Sequence, residues 1–360
     1  MQDIPIHLVV ALAGLAAGAA FGALAQRTNF CTMGAVSDAV VLGDTRRLRA
    51  WVAAMAVAAL GANALHVAGF VDLRGSIYLT PNLGWFGALA GGGLFGFGMV
   101  LAGGCGNKSL VRAGAGNLKS LIVLILLGIS AYMTLRGIVG AARVATWERT
   151  NLDLRGWGFA GQGVPELLGA PRAAIAALLG AALLAWCFKD RAFRASARDV
   201  AGGLGIGALI VAGWAITGIL GADDFDPTPL ASFTFVAPVG DTLAYLMFWT
   251  GTKINFGIAT VAGVMLGAGL AAKAAGEWRL ESFRDTADFL RNASGAVMMG
   301  IGGVAALGCT VGQGLTGLST LALGSFLALA GIVGGAVLAL KYLEEGSLAG
   351  ALRAVFARAG

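Results

Sequence analysis

Apolar residues occur along the chain in long runs, which short polar or glycine-rich stretches separate. Nine runs are long enough to cross a bilayer as helices, since about 20 apolar residues span its hydrocarbon core. The pattern therefore predicts an all-α polytopic membrane protein with about nine transmembrane helices. The predicted spans are 7–26, 49–70, 84–104, 119–140, 172–188, 200–220, 254–272, 292–308 and 319–341.

Four other segments are too short, too polar or too rich in glycine to span a membrane, yet too apolar for ordinary loops. They cover 29–43, 105–117, 232–250 and 309–318. Irregular backbone at membrane depth is tolerated where it is buried in protein or lines a cavity. We therefore expect four re-entrant, membrane-inserted hairpins.

An internal repeat relates the two halves of the chain. NFCTMGAVSDAV at 29–40 aligns with SFTFVAPVGDTL at 232–243, an offset of 203 residues. GGLFGFGMVLAGGCGNKSLVRAG at 92–114 aligns with GAVMMGIGGVAALGCTVGQGLTG at 295–317, with Cys105 opposite Cys309 at an offset of 204. One predicted span separates the halves, so the second half is inverted. This pseudo-two-fold plan is common in transporters, whose working site lies at the repeat interface.

The repeat and the spans together predict the organisation of the chain. Each half is expected to contain a span, a hairpin, two spans, a second hairpin and a last span. The predicted units are a first transport repeat at 1–140, a linker loop with a connecting transmembrane helix at 141–199, a second inverted repeat at 200–341, and a C-terminal cytoplasmic tail or helix at 342–360.

The composition fits a lipid environment. Hydrophobic residues make up 58% of the chain and charged residues 12%, about half of what soluble domains carry. The 58 glycines against 7 prolines suit closely packed membrane helices rather than flexible linkers. The net charge of +6 does not indicate nucleic-acid binding, because basic residues in membrane proteins mark cytoplasmic loops. The bilayer is the expected surrounding, and no nucleic acid is expected as a partner.

Charge also predicts the orientation. Basic residues are concentrated in the connections that face the cytoplasm when the N-terminus is periplasmic, and the acidic loop GADDFDPTP at 221–229 then faces outward. The first apolar run has no basic region before it, so we expect a first helix rather than a cleaved signal. In this orientation the C-terminus is expected to be cytoplasmic.

Three of the 4 cysteines lie in the hairpins. Cys31 and Cys105 are expected on hairpins that enter from the cytoplasmic side, and Cys309 and Thr234 on hairpins that enter from outside. The pseudo-symmetry brings the four tips toward one axis, which predicts a series of weakly donating, polarizable groups suited to a soft sulfur anion. A single cysteine in an apolar helix usually serves packing, and we expect that role for Cys187.

Polar residues near the thiols are further candidates for substrate binding. Lys108 and Arg112 supply positive charge close to Cys105, although both also suit cytoplasmic anchors. Asn107, Gln313 and Asn255 are polar groups at membrane depth that need partners. Contact with a substrate and hydrogen bonding to hairpin carbonyls are alternatives for these three side chains.

Several motifs do not carry their usual chemistry. GQGLTG at 312–317 follows no soluble strand, so it does not indicate a dinucleotide site, and the chain has no phosphate-binding loop. His7 and His66 are isolated, and no C-x-x-C occurs, so no metal site, no cofactor and no enzymatic activity are expected. Asp38 and Asp241 align in the repeat and suit proton or cation sites, but helix capping is the commoner role.

In its hairpin segments and cysteine-bearing motifs, the chain resembles the YeeE/YedE (TsuA-like) family of bacterial sulfur-compound transporters. The resemblance rests on RTNFCTMGAV, LAGGCGNKSLVRAG, SFTFVAPVGDTLAYLM, INFGIATVAGVMLGA and GCTVGQGLTGLSTLALGS, and extends from about residue 10 to 340. It implies an hourglass-shaped inner-membrane protein and thiosulfate uptake by relay between three essential thiols, which correspond to Cys31, Cys105 and Cys309. It also implies a small cytoplasmic TusA-like sulfur carrier as a partner, which is expected to be a separate chain.

The expected function is therefore uptake of thiosulfate or a related sulfur anion along a central path of thiols. Three alternatives remain. An intramembrane thiol oxidoreductase needs a cysteine pair that forms a disulfide during turnover. A passive anion or water channel needs no thiols, so thiol blocking would leave its flux unchanged. A transporter for another small sulfur or selenium species would differ only in substrate.

Overall fold

The computed structural model describes residues 5–223 and 227–357, and the chain is helical almost throughout. The first part of the chain forms α1 (Ile6–Thr28), α2 (Thr32–Ser37), α3 (Arg46–Val67), α4 (Gly92–Leu101), α5 (Gly106–Gly114), α6 (Leu118–Leu135) and α7 (Ile138–Thr146). The rest forms α8 (Val164–Leu168), α9 (Arg172–Lys189), α10 (Arg191–Ala195), α11 (Ala197–Ala215), α12 (Val236–Met247), α13 (Phe256–Ala274), α14 (Thr286–Ala305), α15 (Leu323–Glu345) and α16 (Leu348–Ala357).

Shorter elements join or extend these helices. Strands β1 (Asn82–Leu83) and β2 (Leu152–Asp153) pair antiparallel. The π-helical turns are Asp38–Leu42, Gly87–Gly91, Ile216–Leu220 and Gly312–Gly317. The 3₁₀ turns are Leu73–Gly75, Glu148–Thr150, Leu154–Trp157 and Trp249–Gly251.

The predicted all-α polytopic class is confirmed. In the described part of the chain, 8 helical stretches are long and apolar enough to cross a membrane. The predicted span at 292–308 is not among them, and it corresponds to α14. This helix has 20 residues, about 30 Å, and carries Asp288 and Arg291 near its start. It packs between α4 and α6, and its length suits a ninth crossing.

Helix contacts follow the repeat. With the offset of about 203 residues, α3 corresponds to α13, α4 to α14 and α6 to α15, and α1 and α11 are the first helices of the two halves. α1 packs against α13, and the equivalent pair α11 and α3 also packs together. α4 packs against α15, and its equivalent α14 packs against α6. The matching neighbours support a pseudo-two-fold relation between the halves.

Glycine permits the closest of these helix contacts. A Cβ atom at Gly22 of α1 would lie 2.1 Å from the Val264 carbonyl oxygen of α13. A Cβ atom at Gly96 of α4 would lie 2.0 Å from the Ile332 carbonyl oxygen of α15. Neither backbone oxygen can move aside easily, so these positions require glycine, as expected for small residues at membrane helix interfaces.

The connecting regions contain more structure than their sequences predict. The linker expected at 141–199 includes α8, α10 and the strand that pairs with β1, besides the connecting helix α9. Of the acidic loop at 221–229, residues 224–226 lie outside the described residues, as do residues 1–4 and 358–360 of the predicted termini.

Candidate functional site

Each of the four predicted hairpin segments contains a short helix. α2 and the π-helical turn after it occupy 32–42, α5 lies within 105–117, and α12 lies within 232–250. The fourth begins at Thr310 and includes the π-helical turn Gly312–Gly317. These helices follow longer helices or extended backbone, and they have the broken-helix form found at transporter sites.

Three thiols occupy equivalent places at the starts of these short helices. Cys31 is the N-cap of α2, Cys105 is the N-cap of α5, and Cys309 immediately precedes the helix that begins at Thr310. The Cys309 sulfur accepts a hydrogen bond from the Gly312 backbone N–H at 3.3 Å. Because the first N–H groups of a helix lack intrahelical partners, each thiol lies in a region of partial positive charge.

A left-handed residue precedes each thiol by two positions. Asn29, Gly103 and Leu307 have φ values of 54°, 69° and 57°. Each follows a long helix, which ends at Thr28, Leu101 or Ala305. A left-handed residue after a helix turns the chain out of the helical path. The three segments that connect a helix to a thiol therefore share the same left-handed bend. In one of the three, at Gly103, the left-handed residue is glycine.

The structure brings the three thiols and Thr234 together. Cys31, Cys105 and Cys309 are 5%, 1% and 0% exposed. Cys105 lies within electrostatic range of both other thiols. The Thr234 hydroxyl lies beside Cys309, and a Cβ atom at Gly312 would be 2.4 Å from its oxygen. All four cysteines are free, and in the described residues no cluster of His, Cys, Asp or Glu has a metal-binding arrangement.

Lys108 and Asn107 lie in the first turn of α5, next to Cys105. The Lys108 ammonium group is buried and donates a hydrogen bond to the Asn29 side-chain oxygen, two residues before Cys31. Asn107 is 1% exposed, and its side-chain oxygen has no hydrogen-bond partner. Arg112 donates to the Gly103 carbonyl oxygen at 2.8 Å, across the bend that precedes Cys105.

Arg47 forms a second link near Cys31. Its guanidinium donates to the Asn29 carbonyl oxygen at 3.1 Å and to Asp38 at 2.9 Å. Asp38 is therefore ion-paired, whereas its repeat equivalent Asp241 accepts a hydrogen bond from the Tyr132 hydroxyl. Neither aspartate is the N-cap of its helix, so the expected capping role was wrong for both. Outside the membrane, hydrogen bonds from Arg46 lower the pKa of Asp44 below its ordinary value.

Gln313 and Asn255 have internal partners. Buried Gln313 donates to the Ala306 carbonyl oxygen and accepts from the Ser325 hydroxyl at 2.6 Å. Asn255 is exposed and caps α13, where its side chain accepts from the Ile258 N–H at 2.9 Å. Asn255 is therefore not brought into the cluster of thiols, whereas Gln313 lies close to it.

Cys187 packs apart from the other thiols. It belongs to a small cluster with Ala50, Ala53 and Phe193, and its thiol donates to the Arg49 carbonyl oxygen at 3.3 Å. This environment agrees with the packing role expected for a fourth, isolated thiol.

Two open cavities, the large vestibule and the small vestibule, lie at opposite ends of α14. The large vestibule, about 990 Å³, is lined by Asp288 at the start of α14 and reaches Lys108. The small vestibule, about 320 Å³, is lined by Ala305 at the end of α14 and reaches Gln313. Buried Cys105 lines neither cavity.

The large vestibule is rich in charge. Asp288 accepts hydrogen bonds from Lys119 at 2.7 and 2.9 Å and pairs with Arg291 at 3.4 Å. The acidic residues of its wall are Glu277, Glu281, Asp285 and Asp288, and the basic residues are Lys108, Arg112, Lys119, Arg279, Arg284 and Arg291. The excess of positive charge favours anions in this vestibule.

Sequence reasoning missed Asn29, Arg47 and Thr310. Thr310 lies beside the Cys105 thiol, is fully buried, and makes no hydrogen bond of acceptable geometry through its hydroxyl. A signal was present, since Cys31 and Cys309 are each followed by a threonine. For Asn29 and Arg47, no pattern in the sequence indicates their contacts.

Comparison with known proteins places these features in a family context. The model of the family described as Sulphur transport matches residues 27–338. A protein of Spirochaeta thermophila named thiosulfate transporter TsuA is 30% identical over 328 residues, which cover 88% of this chain and 93% of that protein. The Escherichia coli protein of the same name is 25% identical over 325 residues, covering 84% and 86%. The Escherichia coli probable transporter YedE is 37% identical over 90 residues, covering 24% and 20%.

Proposed function

The chain belongs to the Sulphur transport family, of the YeeE/YedE type, and from that premise we propose that it imports thiosulfate or a closely related sulfur anion. The observation that carries the proposal is the placement of three buried thiols at the N-termini of short helices. Lys108, in the helix that Cys105 caps, lines the large vestibule, and Gln313, in the helix that follows Cys309, lines the small one. The names of two relatives that align over most of their length support thiosulfate as the substrate.

The anion passes from thiol to thiol. It enters the small vestibule, meets Cys309 beside Thr234, moves to Cys105 and leaves past Cys31 toward the large vestibule. Thiols are weak, polarizable hydrogen-bond donors, so they hold the terminal sulfur of thiosulfate loosely. Conduction requires sites that bind well enough for entrance and weakly enough for release, and a series of weak donors meets both needs.

Positive charge on the exit side draws the anion inward. Lys108 and Arg112 lie next to Cys105 and face the large vestibule, which we assign to the cytoplasm. In this orientation the N-terminus is periplasmic and the C-terminus cytoplasmic in the inner membrane. A small cytoplasmic TusA-like sulfur carrier then receives the sulfur anion.

Uptake of radiolabelled thiosulfate tests the relay. We expect Cys105→Ala and Cys309→Ala to reduce uptake by about tenfold or more at equal amounts of folded protein in the membrane, because a step of the path is lost. Growth on thiosulfate as sole sulfur source should fail with both variants. Cys187→Ala is the matched control, since this thiol lies in a separate cluster, and its uptake should equal that of the native protein.

Other outcomes identify the alternatives. Full uptake by both Cys105→Ala and Cys309→Ala would refute the relay, and flux that survives thiol blocking would favour a channel. A Cys105–Cys309 disulfide detected by mass spectrometry during turnover would favour an oxidoreductase. Sulfate and selenite added as competitors define the substrate range.

A further inference from the structure

Thr310 is an exception among the hydroxyl side chains of its segment. Thr316 donates to the Phe233 carbonyl oxygen, Ser319 to Thr316 and Thr320 to Gly317, at 2.6–2.7 Å. The Thr310 hydroxyl is equally buried and lies against the Cys105 thiol, but it makes no hydrogen bond of acceptable geometry. A buried hydroxyl without a hydrogen bond is costly, so it calls for a ligand or another explanation.

Asn107, two residues after Cys105, repeats this exception. Its side-chain oxygen is the second unpartnered polar atom within three residues of a thiol in a short helix. Asn107 lies two residues after Cys105, and Thr310 lies beside the Cys105 thiol and directly after Cys309. One unpartnered side chain therefore lies beside the Cys105 thiol, and a second lies in the first turn of the helix that Cys105 caps.

These groups match the oxygen end of a sulfur oxyanion. A hydroxyl donates one hydrogen bond, and the Asn107 amide can turn to present its NH₂ group, since oxygen and nitrogen occupy interchangeable positions. The first N–H groups of α5 and of the helix that begins at Thr310 add donors directed toward an anion. Thiols suit a terminal sulfur but are weak donors for charged oxygens.

We infer that Thr310 and Asn107 form an oxyanion-binding subsite beside Cys105, which holds the oxygen atoms of the transported anion while the thiols hold its terminal sulfur. The inference rests on the proposed function and extends it to substrate selection. Hydrosulfide has no oxygen and would leave both side chains unpaired. A site built to hydrogen-bond a group discriminates strongly against an analogue that lacks it. The subsite therefore selects sulfur anions that carry oxygens.

Transport kinetics in proteoliposomes test the subsite. Thr310→Val keeps the side-chain shape and removes the hydroxyl, and we expect the KM for thiosulfate to rise about tenfold or more, with the maximal rate within about twofold. Hydrosulfide should inhibit uptake by Thr310→Val at least as strongly as uptake by the native protein, because the variant has no hydroxyl for hydrosulfide to leave unpaired. Thr310→Ser keeps the hydroxyl and should retain the native KM, and Asn107→Leu should raise the KM as Thr310→Val does.

The results separate this inference from the proposed function. Absence of thiosulfate uptake by the native protein would reject the proposed function itself. Native uptake together with an unchanged KM in both Thr310→Val and Asn107→Leu would reject only the subsite. An equal rise in the KM for thiosulfate in Thr310→Val and Thr310→Ser would assign Thr310 a structural role and overturn the subsite. Inhibition by hydrosulfide that weakens in proportion to the lost thiosulfate uptake would do the same.

Discussion

At the scale of single residues, burial and partners distinguish the candidate groups better than their type does. Gln313 and Asn255 are both amides near predicted hairpins, yet one is paired inside the protein and the other caps a helix at the surface. Of the three candidate amides, Asn107 is the one that keeps an unpartnered buried atom. Sequence predicts that a polar residue at membrane depth needs a partner, but the partner comes from tertiary structure.

Substitution of Lys108 tests whether this residue acts in the substrate path or only as a cytoplasmic anchor. We expect Lys108→Met to reduce thiosulfate uptake by at least about tenfold, because it removes a buried charge that bonds Asn29 near Cys31 and faces the large vestibule. Initial rates of radiolabelled uptake measure the effect. Lys189→Met is the matched control, since Lys189 is an exposed basic residue at the end of α9, and its variant should transport normally. Equal, mild effects of both changes would mark Lys108 as an anchor.

At the scale of elements, the long membrane helices can be predicted from the sequence. The breaks between them can be predicted only in part. Apolar runs must become helices in lipid, and the predicted spans agree with the observed helices within a few residues at most ends. The interruptions were predicted from composition, but their form was not. Leu307 adopts a left-handed conformation that leucine rarely occupies, so residue type does not reveal the bend there.

Close helix contacts give a prediction about stability. We expect Gly96→Ala to destabilise the protein by about 1–3 kcal/mol, because the added methyl group meets the Ile332 carbonyl oxygen of α15. A lower Tm of the detergent-solubilised protein measures the change. Gly334→Ala, in α15, is the control, since no atom lies within 4 Å of its added Cβ. An unchanged Tm for Gly96→Ala would mean that α4 and α15 separate at little cost.

At the scale of the whole molecule, the repeat was visible in sequence because two motifs share nearly one offset. The offset relates the packed pairs α4–α15 and α14–α6. Departures from symmetry were less predictable. Asp38 pairs with Arg47, whereas Asp241 bonds Tyr132, and position 250, which the offset relates to Arg47, is Thr250. Unequal charge between the halves gives the path a direction that an exact repeat would lack.

Labelling of single introduced cysteines tests the orientation that this direction requires. Arg155 and Glu345 are exposed and lie on connections expected on opposite sides of the membrane, while the native thiols are buried, so background labelling is low. A membrane-impermeant maleimide should label Arg155→Cys in intact cells and Glu345→Cys only after permeabilisation. The reverse result would place the positively charged large vestibule outside. Because basic residues are retained on the cytoplasmic side during insertion, that result would contradict both the charge distribution and the proposed direction of uptake.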